Sequence, residues 1–183
     1  FECAYAASKM ALEHMTPVVL MTDAFIANGS AAWRLPNLAE YPAINPPYVQ
    51  PEMKESWTPY QRNEETGVRY WAIPGTEGFT HILGGLEKDN KTGAISTNPE
   101  NHHLMTQLRQ QKIEKIEVPD VVVEGDADDA ELLIVGFGGT YGHLHAAMDE
   151  LQAKGKKVAL AHFKFINPLP KNTAEVLKRY PKV

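Results

Sequence analysis

The sequence predicts an α/β fold, an open parallel three-layer sheet preceded by a truncated piece of an earlier α/β domain. Two stretches carry this expectation. Residues 131–163 read strand, glycine loop, helix and strand within about 30 residues, which is the length of a βαβ unit. Residues 1–30 read as a helix, a Thr16-Pro17 breaker and a short apolar run, the last step of another α/β layer. Between them lies a proline-rich connection that neither helix nor central strand can accommodate.

Taken in order, Phe1 to Met15 has helical spacing. Phe1, Ala4, Tyr5, Leu12 and Met15 share a face, and the alanines permit close packing. Val18 to Met21 is expected as a buried strand. Asp23 follows, placed either to touch a ligand at the strand's carboxyl edge or to cap the next turn. From Leu35 to Tyr60, prolines stand at 36, 42, 46, 47, 51 and 59. Interspersed Trp33, Leu38, Tyr41, Ile44, Tyr48 and Trp57 argue against disorder and for an extended segment packed on a surface. Val68 to Ile73 and Phe79 to Leu83 have strand propensity on either side of a turn. Asn98-Pro99-Glu100 is a helix start: cap, proline at the first position, then an acid. Leu104, Met105 and Leu108 form its apolar side, with Arg109, Lys112 and Lys115 as later charge. Val118-Pro119 ends it, and Val121 to Val123 can add a strand. Glu124, Asp126, Asp128, Asp129 and Glu131 make an acidic turn without the spacing of a calcium loop.

The βαβ unit opens with the buried run Leu132–Val135, bounded by Gly136. Leu144, Ala147, Met148 and Leu151 recur at helical spacing, Gly155 stops the helix, and Val158–Ala161 is the second strand. Its strands must be parallel, and such a crossover is almost always right-handed. Asn167-Pro168-Leu169-Pro170 is a rigid turn, and Thr173 to Tyr180 a short helix with Ala174 and Leu177 inward.

The formal charge of −5 is unevenly spread. Residues 1–153 carry a net −12 and residues 154–183 a net +7. The terminal lysines are scattered and lack an aromatic stacking pattern, so no nucleic-acid partner is expected; a solvated face or an acidic partner fits better. The single Cys3 excludes an internal disulfide and a cysteine metal cluster, and points to a reducing cytoplasm. No apolar run reaches membrane-span length and no signal peptide is visible, so no membrane partner is expected. The chain opens on Phe1 in mid-helix and closes where a strand would begin. Both ends read as cut, and a fragment of a longer polypeptide is expected.

The glycine loop Gly136–Gly142 admits three readings. As a dinucleotide fingerprint it is incomplete: Tyr141 stands at the third glycine, and His162-Phe163-Lys164 replaces the acid that reads a ribose hydroxyl. The weakest variant is an NADP site with Lys164 near a 2′-phosphate. No GK[ST] follows for a P-loop. Alternatively, Gly138, Gly139 and Thr140 could place an anion, including coenzyme A, on the helix N-terminus, with Thr140 capping. Equally, the glycines could do no more than turn the chain. His143 and His145 diverge on a helix and cannot share a metal; His145 is expected to pair with Asp149. His81, His102 and His103 lie near Glu77, Glu87, Asp89 and Glu100, but adjacent histidines on a helix also diverge. Nucleophile-elbow, HExxH and CxxC motifs are absent.

Three stretches carry a family resemblance: residues 70–81 (YWAIPGTEGFTH), Gly84-Gly85-Leu86-Glu87, and Asn98-Pro99-Glu100-Asn101-His102. They resemble the alpha subunit of 2-oxoacid:ferredoxin oxidoreductases, most closely those acting on 2-oxoglutarate. The loop Gly136–Gly142 and Asn167–Pro170 resemble that family's second domain, which is like the transketolase C-terminal domain. The family more often has Ser where Gly139 stands. The resemblance implies that residues 1–30 are the tail of a thiamine pyrimidine-binding domain. Residues 31–66 would be an extended linker, and residues 67–183 a truncated transketolase C-terminal-like domain. The whole enzyme is then expected to decarboxylate its oxoacid oxidatively to an acyl-CoA, using thiamine diphosphate, magnesium and iron–sulfur clusters. A beta subunit, further iron–sulfur subunits and ferredoxin are its expected partners. No catalytic residue, metal ligand or cofactor is assigned to this stretch, whose role is structural. The alternative is an autonomous module binding coenzyme A or another phosphorylated ligand.

Overall fold

The computed structural model describes residues 1–183, which divide into two compact units. One unit is built from residues 1–20 and 35–116, the other from residues 21–34 and 117–183. Residues 67–116 therefore cluster with the proline-rich segment. No helix is long and apolar enough to cross a membrane.

The second unit contains the α/β layer. Strand β1 spans Val123–Gly125, β2 Leu132–Phe137 and β3 Val158–Phe163, in the spatial order β1-β3-β2. Strands β2 and β3 are parallel, with Leu132 opposite Val158 and Phe137 opposite Phe163. Helix α4, Tyr141–Ala153, is their crossover. The expected βαβ unit is present, and Gly155 follows α4 with φ 73°, a left-handed conformation that costs glycine nothing.

The sheet is mixed, because β1 runs antiparallel to β3. Its direction is set by the acidic turn. Asp126 N–H donates to Val158 O (3.1 Å) and Glu131 N–H to Lys157 O (2.9 Å), so residues 126–131 loop beneath the start of β3. They leave β1 and β2 on opposite sides of it, pointing in opposite senses. Basic residues of the last 30 positions neutralise the same turn: Lys157 pairs with Asp129, and Arg179 with Asp128 at 2.7 Å. The acidic partner of the basic tail is thus, in part, the chain's own turn.

Side chains alternate across a strand, and β3 uses both faces. Ala159, Ala161 and Phe163 pack with Val121, Leu133, Val176 and Tyr180. Val158 and Leu160 pack instead with Met148 of α4, bordered by Leu144 and Leu151. Helix α5 (Thr173–Arg179) covers the first face through Val176, whereas Ala174 is exposed. The inward stripe is therefore Val176, Leu177 and Tyr180 rather than Ala174 and Leu177. Asn172 anchors α5 by exchanging two hydrogen bonds with the Val121 backbone, at 3.0 and 2.9 Å.

In this unit Met21–Arg34 contributes α2, Ala24–Asn28, capped by Asp23, whose Oδ1 accepts from Ile26 N–H at 2.8 Å. No strand forms at Val18–Met21; Val19 and Met21 are 82% and 66% exposed. An apolar run becomes a strand only where a partner edge satisfies its backbone, and none lies beside it.

The first unit has no sheet. Helix α1 (Glu2–Glu13) carries the proline-rich segment: Tyr41 stacks edge-on against Phe1 and Tyr5, with ring centroids 5.4 and 4.9 Å away. Asn45 N–H donates to Glu13, and Trp71 Nε1 donates to Leu12 O at 2.8 Å. The expected strand at 68–73 shrinks to two single bridges, Tyr48 with Trp71 and Arg62 with Arg69, and no strand or bridge forms at 79–83. Pro47 and Pro74 sit beside this pairing and cannot donate to a ladder. Helix α3, Pro99–Glu114, begins as expected, with Asn98 Oδ1 accepting from Asn101 N–H at 2.7 Å. Its buried side chain is Met105; Leu104 is 39% exposed, and Lys112 is half-buried.

Truncating Leu160 or Leu133 to Ala is expected to cost about 2–5 kcal/mol, since each leaves a cavity in a closed layer. Val135→Ala, on a residue 40% exposed, should cost far less. Urea unfolding of the three variants measures the difference.

Candidate functional site

Two places concentrate polar chemistry. The first is the carboxyl edge of the sheet, where the sequence places Gly138, Gly139 and Thr140. These residues form a 3₁₀ turn between β2 and α4. Thr140 occupies the N-cap position of α4 without capping it: its hydroxyl donates backwards to Phe137 O at 2.7 Å. Leu144 and Asp23 lie close against Gly136 and Gly139. A Cβ at Gly136 would collide with Leu144, and one at Gly139 with the Asp23 carboxylate. Asp23 thus caps α2 with one oxygen and lays the other against the loop. An anion arriving there would meet that carboxylate, and the two would repel.

Around this loop, Tyr141 donates its hydroxyl to Glu124 at 2.9 Å, and its ring lies 5.2 Å from His162. The Glu124 hydrogen bond holds the Tyr141 phenol above its ordinary pKa. His145 pairs with Asp149 at 3.1 Å, as its spacing requires, and reaches Glu124 at 3.5 Å. His143 stays exposed, apart from that network.

The second place lies wholly in the first unit and was missed by sequence reasoning. A cleft of about 650 Å³ opens between Met15–Pro17, residues 60–69, residues 84–88 and α3. Arg62, Arg69, Lys88, Arg109 and Lys112 line it, with Glu87 as the acid. Glu87 takes Arg109 at 3.0 Å and His102 at 2.5 Å, and these bonds hold its carboxyl below the usual range. Of the three histidines considered from sequence, His102 is the one so engaged. His81 meets Phe79 O at 2.9 Å and lies edge-on to Trp57, while His103 is exposed.

Lys88 is 2% exposed and donates to Gly84 O (2.8 Å) and Leu86 O (2.5 Å). Arg62 donates to Tyr60 O and to Asn90, and Arg69 stacks 4.2 Å over the Tyr60 ring. Lys112 donates to Met15 O at 2.6 Å. Burial, then the charges of Arg69, Arg62 and Arg109, lowers the Lys112 ammonium to about 8. The only sequence signal was its register: Asn101, Met105, Leu108 and Lys112 share one helical stripe, which turns the lysine inward.

The residues do not fit an iron–sulfur cluster, which needs several thiolates where this chain has the single exposed Cys3. No three His, Cys, Asp or Glu side chains converge for a metal ion.

Comparisons with known proteins bear on these observations. No family model matches the chain. It is 47% identical over all 183 residues to 2-oxoglutarate oxidoreductase subunit KorA of Mycobacterium tuberculosis. It is 28% identical over 98% of its length to 2-oxoacid:ferredoxin oxidoreductase 1, subunit alpha, of Aeropyrum pernix. The chain spans 28% of each of these relatives. Among solved structures, it is similar to a 2-oxoglutarate:ferredoxin oxidoreductase from Magnetococcus marinus, with TM-score 0.67 and 30% identity. That match covers 76% of this chain and 24% of the other; 2-oxoglutarate, coenzyme A and succinyl-CoA are bound in that structure.

A base whose folded pKa is depressed destabilises the fold at every pH below that value. The penalty is relieved as pH rises from about 8 towards the ordinary lysine value of 10.5. Lys112 is faced by His14 at the end of α1, by Arg62 and Arg69, and by Arg109 of its own helix. Wild type should therefore gain stability relative to Lys112→Met across that window. Paired thermal melts between pH 7 and 10 read this difference; parallel curves would show that Lys112 carries no buried charge.

Proposed function

We propose, from the premise that this chain is homologous over its whole length to the alpha subunits of 2-oxoacid:ferredoxin oxidoreductases, that it is a structural and assembly segment of such an enzyme. The enzyme would oxidatively decarboxylate a 2-oxoacid, with 2-oxoglutarate as the first choice, to its acyl-CoA and pass the electrons to ferredoxin. The observation that carries this reading is the 47% identity, without interruption of coverage, to a 2-oxoglutarate oxidoreductase subunit.

The distribution of chemistry supports a scaffold role. Oxidative decarboxylation of this class requires thiamine diphosphate, a divalent metal and electron carriers. This stretch converges no metal ligands and has no thiolate set. The proposal therefore assigns those groups to other parts of the polypeptide or to a partner beta subunit. What this chain can supply is surface. Phe25, Leu35 and Leu38 are 84%, 79% and 68% exposed and so are open to contact with another surface.

The test uses the intact polypeptide with its co-purified subunits, prepared without oxygen. Coenzyme A-dependent reduction of a viologen dye is measured with 2-oxoglutarate and with pyruvate. Reduction with 2-oxoglutarate and little with pyruvate is expected, and the 183-residue chain alone should show none. Failure with every 2-oxoacid, in a preparation retaining its thiamine diphosphate, would reject the assignment.

A further inference from the structure

We infer that the cleft lined by Arg62, Arg69, Lys88 and Lys112 is an anion-binding site, built for a small molecule that presents a phosphate or diphosphate group. This inference does not depend on the enzyme assignment above; it rests on a charge imbalance within one compact unit. Five basic side chains line the cleft and one acid faces them. That acid, Glu87, is already committed to Arg109 and His102. Arg62, Arg69, Lys88 and Lys112 form no ion pair with any carboxylate.

Backbone carbonyls occupy several of their N–H groups. They satisfy hydrogen bonds but supply no counter-charge. Withdrawing cations from water without a counter-charge is costly, and four unpaired basic groups around one cavity also repel one another. Burial pulls both guanidinium groups below their ordinary values, and Arg69 adds its charge against Arg62. A ligand carrying two or more negative charges relieves both penalties. Guanidinium forks suit phosphate oxygens, and lysine adds a point charge.

A single carboxylate would leave most of the excess uncompensated, which is why a phosphate group is favoured. The volume of about 650 Å³ is that of a small-molecule site rather than of a lone ion. The remaining wall is apolar: Pro17, Met105, Leu108 and Ile113 line it. It suits the uncharged part of a phosphate ester.

Calorimetric titration of the full 183-residue chain tests this, with inorganic diphosphate, inorganic phosphate and phenyl phosphate as probes at fixed ionic strength. Saturable binding of diphosphate is expected, with phenyl phosphate tighter than inorganic phosphate. Arg62→Gln and Lys112→Met should each weaken diphosphate about tenfold or more. Arg62→Lys, which keeps the charge and loses the fork, should fall between, and Lys157→Ala in the other unit should change nothing. Near pH 8, binding of a given probe should take up more protons in wild type than in Lys112→Met, so the dependence of its heat on the buffer's ionisation enthalpy should differ between the two. No saturable heat with any probe would overturn the site. So would variants that bind as tightly as wild type, or binding of a poly-glutamate peptide where diphosphate fails. Loss of turnover in the viologen assay with diphosphate binding intact would reject the enzyme assignment alone.

Discussion

Ala159, Leu160 and Ala161 are completely buried in the middle of β3, and the second unit is arranged to make that burial possible. A strand with no solvent on either face must find hydrogen-bond partners on both edges and apolar cover on both sides. β1 and β2 supply the edges. Helix α4 covers one face through Met148, and α5 covers the other through Val176 and Tyr180. The alanines at 159 and 161 lie on the face covered by Val176, and the larger Leu160 packs with Met148 beneath α4. Even the acidic turn is bent around the foot of this strand, with Asp126 Oδ2 receiving both Gln152 Nε2 and Val158 N–H.

The first unit solves a different problem. Without a sheet, it relies on aromatic packing between α1 and the prolines, on single bridges, and on long cationic side chains that bond to backbone carbonyls. Arg62 reaches Asn90 and Lys112 reaches Met15, joining residues far apart in sequence. Such ties organise irregular backbone, but they gather positive charge in one place. Structure and electrostatics are therefore linked: the side chains that hold the loops together also create the cationic cleft.

The glycine loop shows why a motif is weaker than its surroundings. Its glycines satisfy both a turn and an anion cradle in sequence terms. In the fold, Asp23 comes from more than a hundred residues away to rest against Gly139, and its charge changes what the loop can receive. The Thr140 hydroxyl donates to the Phe137 carbonyl within its own turn and does not cap α4.

Local order was legible in the residues themselves. The apolar run 158–161, the 3.6-residue spacing in 144–151, the Asn98-Pro99 start and the Asp23 cap all depend on neighbours within a turn or a strand, and each forms where its pattern lies. The resemblance to the oxidoreductase alpha subunits was equally readable, because it rests on long contiguous motifs. What only the tertiary structure decided was pairing. Val18–Met21 has strand composition but no edge to join, Val68–Ile73 finds only single bridges, β1 took its direction from a turn, and Arg62, Arg69, Lys88 and Lys112 converge from separate segments. Each outcome depends on which distant backbone or charge lies alongside, and spacing within a segment carries no record of that.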